Sequence, residues 1–269
     1  MRILLFFFFW AGATGFPQTF SQCRGPVDAF VPGEKLVYDI YYNWGVLWVK
    51  AGKVTFMADT IHWAGKPAWK WTAIGESLSS WDWFFKVRDR YETIASRPGL
   101  RPYRFYRNTH EGGYHVYNLY HYNYSNQTIV LQTQTSKRSY RSDTLAFTGC
   151  IHDLLSAAYY ARTLDYSGMG KGQSIPVRIG VDEKIFDLPF VFRGTEVQTL
   201  RNGNPYPSLK FTANVVEGSV FKGREEVSVW VTNDSRHIPV KVEASIMVGS
   251  VKAFLNEEKS TLTGGTFQK

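Results

Sequence analysis

What the chain lacks narrows it first. It has two cysteines in 269 residues, Cys23 and Cys150, and a pair so far apart does not make a zinc site. The formal net charge is +8, yet no run of four basic residues occurs and no nucleic-acid-binding motif is present. A scattered excess of Lys and Arg describes a solvated surface with modest non-specific affinity for anions. Beyond the N-terminal apolar run, no segment is apolar enough to span a membrane, so no transmembrane segment is expected. The HExxH, GxSxG and phosphate-loop signatures are missing. Gly168-Met169-Gly170-Lys171-Gly172 lacks both the Lys-Ser/Thr ending and the preceding strand of a phosphate loop and reads as a flexible loop. No catalytic residue, metal or cofactor is expected.

Helical periodicity is scarce as well. Only residues 152–165 carry it, with Leu154, Leu155, Ala158, Tyr159 and Ala161 at the spacing of one helical face. Elsewhere the pattern has period two, broken by Gly and Asn turns. One amphipathic helix in a chain of strands needs a sheet to lie on. Apolar residues make up 44% and aromatics 16% of the chain, which opposes disorder and favours strands.

Met1-Arg2 followed by a short apolar run and small residues reads as a secretory signal peptide. Residues 1–22 are therefore taken as signal peptide and mature N-terminal arm, with cleavage after Gly15 or after Ser21. Lipidation at Cys23 is the rival, opposed by Gln22 where a lipoprotein signal wants a small residue. In an oxidising compartment Cys23 and Cys150 read as one possible disulfide, two separate thiols being the alternative.

Residues 23–262 form one β-rich domain, followed by a loose tail at 263–269. Leu36, Tyr38, Ile40 and Tyr42 share a strand face. In the next strand the apolar parity shifts at Ala51-Gly52-Lys53, which predicts a β-bulge, and a bulge bends a sheet. Glu111-Gly112-Gly113 marks a hairpin. Val240, Val242, Ala244, Ile246 and Val248 alternate with polar residues, the mark of a strand with one wet face. The fold expected is a single-domain antiparallel curved sheet or barrel with one central helix.

Several side chains are candidates for a site. Trp81, Trp83, Phe84 and Phe85 interrupt the alternation and read either as a plug in the core or as the border of an apolar hollow. Arg88 and Arg90 follow and are placed to meet a negatively charged head group. Asp89 takes the opposite strand face and, if it points inward, needs a partner; Arg162 on the helix is the candidate for a structural ion pair. His115 and His121 have the same parity in one strand, but exposed strand histidines among tyrosines are commoner than ligands. His152-Asp153 resembles a general-base pair; an Asp at a helix start is better read as a cap.

Pro32-Gly33-Glu34-Lys35-Leu36-Val37-Tyr38, Val87-Arg88-Asp89, Glu111-Gly112-Gly113, Asp153-Leu154-Leu155-Ser156 with Arg162, and Val229-Trp230-Val231-Thr232-Asn233-Asp234 with Ile238-Pro239 together resemble an exported bacterial family catalogued as domain of unknown function 3108. The resemblance covers roughly residues 30–256 and implies compartment and fold more than activity. The hairpin 229–248 is also similar to the closing hairpin of periplasmic lipoprotein carriers, curved sheets with a lipid-binding hollow. Those carriers have many covering helices where this chain offers one. The function expected is non-enzymatic binding of an apolar or amphipathic ligand, such as a lipid or another apolar small molecule, by an exported soluble protein of the periplasm or cell envelope. The alternative is a structural or protein-interaction module with an envelope protein partner.

Overall fold

The structure is a computed structural model that describes residues 23, 25, 28–44, 46–214, 226–245 and 249–262. The expected signal peptide, the tail at 263–269 and the alternating residues Ile246 and Val248 lie outside the described residues.

The chain is an antiparallel meander in two halves. The first runs through β1 (Glu34–Trp44), β2 (Leu47–Trp63), β3 (Lys66–Ser77), β4 (Val87–Ser96), β5 (Pro102–Glu111), β6 (Tyr114–Asn123), β7 (Thr128–Thr135) and β8 (Arg138–Ala146). A four-residue helix, α1 (Asp82–Phe85), joins β3 to β4. The helix α2 (Leu154–Arg162) then carries the chain to the second half: β9 (Ser174–Val181), β10 (Lys184–Thr199), β11 (Pro205–Asn214), β12 (Glu226–Thr232), β13 (Pro239–Ser245) and β14 (Ser250–Leu255). β14 pairs with β1, so all fourteen strands join one sheet with β8 and β9 as its edges.

The expected bulge falls at Ala51: Ile40 pairs with Gly52 and Tyr41 with Lys50, leaving Ala51 without a partner. Such an insertion bends a strand and adds twist. The sheet curls until the β9–β10 turn faces the opposite edge. There Asp182 pairs with Arg107 of β5 at 3.2 Å, and Glu183 pairs with Arg141 of β8 and accepts a bond from Thr133 of β7 at 2.7 Å. Side chains close this seam where the backbone ladder does not. The other flank of β9 is covered by His152, which forms a parallel bridge to Ile179. The bridge occupies ladder groups of Arg178 and Gly180 on that edge.

The helix is shorter than its periodicity predicts, nine residues instead of fourteen. Asp153 caps it, accepting bonds from the Leu155 and Ser156 backbone N–H groups, while Ser156 Oγ accepts from the Asp153 N–H, a capping box. The buried side chains are Leu155, Ser156, Tyr159 and Arg162. Leu154 is 38% exposed and Ala158 also counts as exposed, which corrects the expectation that both face the sheet. The cap and Arg162 set the rotation. With Asp153 bonded to Thr93 and Arg162 to Glu34, residues 155, 159 and 162 must point inward.

The disulfide between Cys23 and Cys150 is formed, with Cα atoms 5.2 Å apart. It ties the N-terminal segment to the approach of α2. Gly25 lies so close to the end of that helix that a Cβ would stand 2.0 Å from the Thr163 carbonyl oxygen, and its N–H donates to Thr163 Oγ1.

Candidate ligand-binding site

Strand register fixes what faces inward. Glu34, Ala58, Trp71 and Thr93 form one row across β1 to β4. Three inter-strand steps span about 14 Å, and nine helical residues span about 13 Å. α2 matches that row and is fastened at both ends of it. Thr93 Oγ1 donates to Asp153 at 2.7 Å, and Arg162 forms a bidentate pair with Glu34 at 2.6 and 2.9 Å. Between them Tyr159 stacks on Trp71 with ring centres 4.7 Å apart.

Among the described residues, the rows beyond α2 toward the opposite end have no such cover. Leu36, Val240, Val231 and Leu255 are buried, whereas Ile40, Val242, Val229 and Ala253, further along the same strand faces, are only half-buried. Among the described residues, one end of the barrel is therefore plugged and the other open. Between α2 and the open end lies a hollow of about 320 Å³. Its walls include Leu36, Ile40, Val54, Phe56, Val229, Val242 and Ala253, and its floor Ala158, Tyr159, Ala161 and Tyr166. The volume lies within the range of small-molecule pockets, as does the apolar lining.

Few polar groups border it. Arg162 donates to Glu34, the Ala29 carbonyl and the Arg236 carbonyl, so its guanidinium belongs to the scaffold. Burial works against its charge, and the Glu34 carboxylate more than offsets this, holding it above its ordinary range. Tyr38 OH donates to the Pro239 carbonyl. The Tyr159 hydroxyl is buried with no hydrogen-bond partner among the described residues, and burial pushes its pKa up.

The expected ion pair of Asp89 and Arg162 does not form, because Arg162 is taken by Glu34. Asp89 faces inward, four residues along β4 from Thr93 toward the open end. Its neighbour there is Glu111. Burial first, then the Glu111 charge, pushes the Asp89 carboxyl up to about 7, against the Arg107 charge and a bond from the His110 N–H. Gly75 on the next strand leaves the way to the hollow clear: a Cβ on it would stand 3.8 Å from both Asp89 Oδ2 and Val54 Cγ2.

The aromatic segment is neither a plug nor part of the lining. Trp83, Phe84 and Phe85 are 80%, 73% and 50% exposed at the open end, and Trp81 is half-buried. The expected head-group arginines are engaged elsewhere. Arg88 holds α1 through Asp82 at 2.6 Å and Ser77 at 3.0 Å, and Arg90 pairs with Glu92 on the outer face. Both have the parity opposite to Asp89 and cannot reach the hollow.

His152 and Asp153 do not act as a base pair. Asp153 bonds to Thr93 and the helix backbone, and burial lowers the pKa of His152 to about 3, so its imidazole is neutral. Among the described residues no group of three His, Cys, Asp or Glu is placed to hold a metal ion. His115 and His121 lie on the outer face of β6; His115 bonds Asn108. Sequence reasoning identified Leu36, Tyr38 and Ile40 as one face. It expected an apolar hollow but bordered it with the aromatic segment 81–85, whereas the walls come from Leu36, Ile40, Val54, Phe56, Val242 and Ala253.

Among the described residues no helix is long and apolar enough to cross a membrane. In solved structures the chain is similar to a β-barrel-like protein of domain of unknown function DUF1849 from Brucella abortus, with a TM-score of 0.54, 9% identity, and 87% of this chain and 99% of that chain covered. It is also aligned with the hypothetical protein CT021 from Chlamydia trachomatis, with a TM-score of 0.34, 10% identity, and 89% of this chain and 93% of that one covered. No curated protein matches the chain. The barrel-like fold is thus shared with the Brucella protein at an identity that speaks of fold alone. The family model described as Protein of unknown function (DUF3108) matches residues 37–256, from β1 to the end of β14, and the chain belongs to that family.

Proposed function

We propose that the protein is a non-enzymatic binder of single-chain amphiphiles, which holds the apolar tail of its ligand in the hollow beneath α2. The observation that carries this reading is the hollow itself: about 320 Å³, walled by aliphatic side chains and opening at the unplugged end of the barrel. Each methylene buried there contributes about 0.8 kcal/mol. The carboxyls of Asp89 and Glu111, on the open-end side of α2, favour a neutral or cationic head group over a carboxylate. The disulfide fits an oxidising compartment, and with the N-terminal sequence supports an exported, periplasmic or envelope protein.

Calorimetric titration with monolauroylglycerol tests this. Saturable binding at one site is expected, and Ala253→Phe, which pushes a ring into the hollow, should abolish it while leaving the unfolding midpoint nearly unchanged. Binding that survives Ala253→Phe at full strength would place the ligand elsewhere, and no binding of any single-chain amphiphile would overturn the reading.

A further inference from the structure

The β1–β2, β5–β6, β7–β8 and β9–β10 turns share the open rim with α1. Its apolar side chains are not loose. Asp82 is clamped by Arg88 and by Ser77 Oγ, which donates to it at 2.5 Å while accepting from the Val87 N–H. Phe85 leans on the β5–β6 turn so closely that a Cβ on Gly112, whose φ is +61°, would stand 2.7 Å from its ring. Trp83 and Phe84 pack edge to face, 5.9 Å apart, and both point to solvent. Val46, on the neighbouring β1–β2 turn, is 96% exposed. A rigid turn that presents large rings outward presents a contact surface.

The charges around this rim are unbalanced. Among the described residues three of its acids are matched: Asp82 by Arg88, Asp182 by Arg107, Glu183 by Arg141. Burial and the neighbouring Glu111 charge push the Asp89 carboxyl up to about 7. Lys86, Lys137 and Lys184 are exposed and form no ion pair among the described residues. Exposed aromatic rings on a rim that also carries unmatched lysines suit the interface of an anionic bilayer, where rings sit at the head-group level and each basic residue near the surface adds attraction.

We propose that the open rim docks on an anionic lipid surface, with Trp83 and Phe84 entering the interface and Lys86, Lys137 and Lys184 facing the head groups. This surface is independent of the hollow; only its use, to pass an amphiphile between bilayer and barrel without crossing water, rests on the ligand reading above.

Sedimentation of the protein with phosphatidylcholine vesicles, with and without phosphatidylglycerol, tests the docking. Binding is expected to the anionic vesicles, weakening with added salt. The double variant Trp83→Ser/Phe84→Ser should partition about a hundredfold less, the factor for withdrawing two aromatic side chains from an interface. Because both residues are exposed, its unfolding midpoint should equal that of the wild type. The hollow variant Ala253→Phe should bind vesicles normally, which separates this outcome from the ligand test. Failure to sediment with any vesicle, or equal sedimentation of the double variant, would overturn the proposal; the first result would leave the patch to a protein partner.

Discussion

Glu34 and Asp89 are interior carboxyls three strands apart, and their surroundings differ in one respect. Glu34 meets the guanidinium of Arg162, whereas Asp89 meets Glu111. Removing one member of a buried pair leaves the other uncompensated, so Glu34→Ala should destabilise the fold by about 3–5 kcal/mol. Chemical denaturation reads this, and a change below 1 kcal/mol would mean that the pair is not buried as described. Asp89 predicts a pH dependence. Its pKa rises from 3.8 unfolded to about 7 folded, so between these values the folded state binds more protons. Stability associated with it is present below the lower value and is lost as pH rises through the upper one. Denaturation midpoints at pH 5 and pH 8 should therefore differ more in the wild type than in Asp89→Asn. An equal difference in both would show that Asp89 ionises normally. That Asp89 takes the face opposite to Arg88 and Arg90 was legible from strand parity. Its partner was not, because parity places a residue on a face without saying which row of that face the helix crosses.

At the scale of elements, α2 carries the sharpest contrast. Leu155 is 3% exposed and Leu154 38%. Leu155→Ala should cost about 2–5 kcal/mol, and Leu154→Ala less than about 0.5 kcal/mol. Equal losses, measured as shifts in urea midpoint at constant slope, would contradict the rotation assigned to the helix. The existence of α2 was legible in its 3–4 spacing, and its cap in Asp153; its exposed flank was not, because Leu154 and Ala158 satisfy the period as well as Leu155 does. β8 was illegible for the opposite reason. Its sequence, Arg138-Ser139-Tyr140-Arg141-Ser142-Asp143, has no apolar alternation, since as an edge strand it buries neither face. The bulge at Ala51 was readable because a one-residue insertion flips every later side chain to the other face.

For the whole molecule, the disulfide and the plugged end belong together. The bridge spans a sequence separation of 127 residues and pins the N-terminal segment under the end of α2. In the chain-entropy picture such a loop stabilises the fold by roughly 4–5 kcal/mol. The double variant Cys23→Ser/Cys150→Ser should lose a comparable amount in denaturation, and an unchanged midpoint would mean that this end of the barrel closes without it. Fold class and the single domain could be read from alternation, because a chain with one helix and many half-wet strands has few ways to bury itself. The lining of the hollow could not, because it depends on which row of the inner face α2 crosses, and alternation does not say which. The hollow is the core of the functional reading, and a crystal structure of the protein soaked with a bromine-labelled monoacylglycerol tests it most directly. The expected result is an anomalous bromine peak among Ile40, Val54, Val242 and Ala253, below the open rim. Side chains that fill this space, with bromine absent from it, would contradict the account.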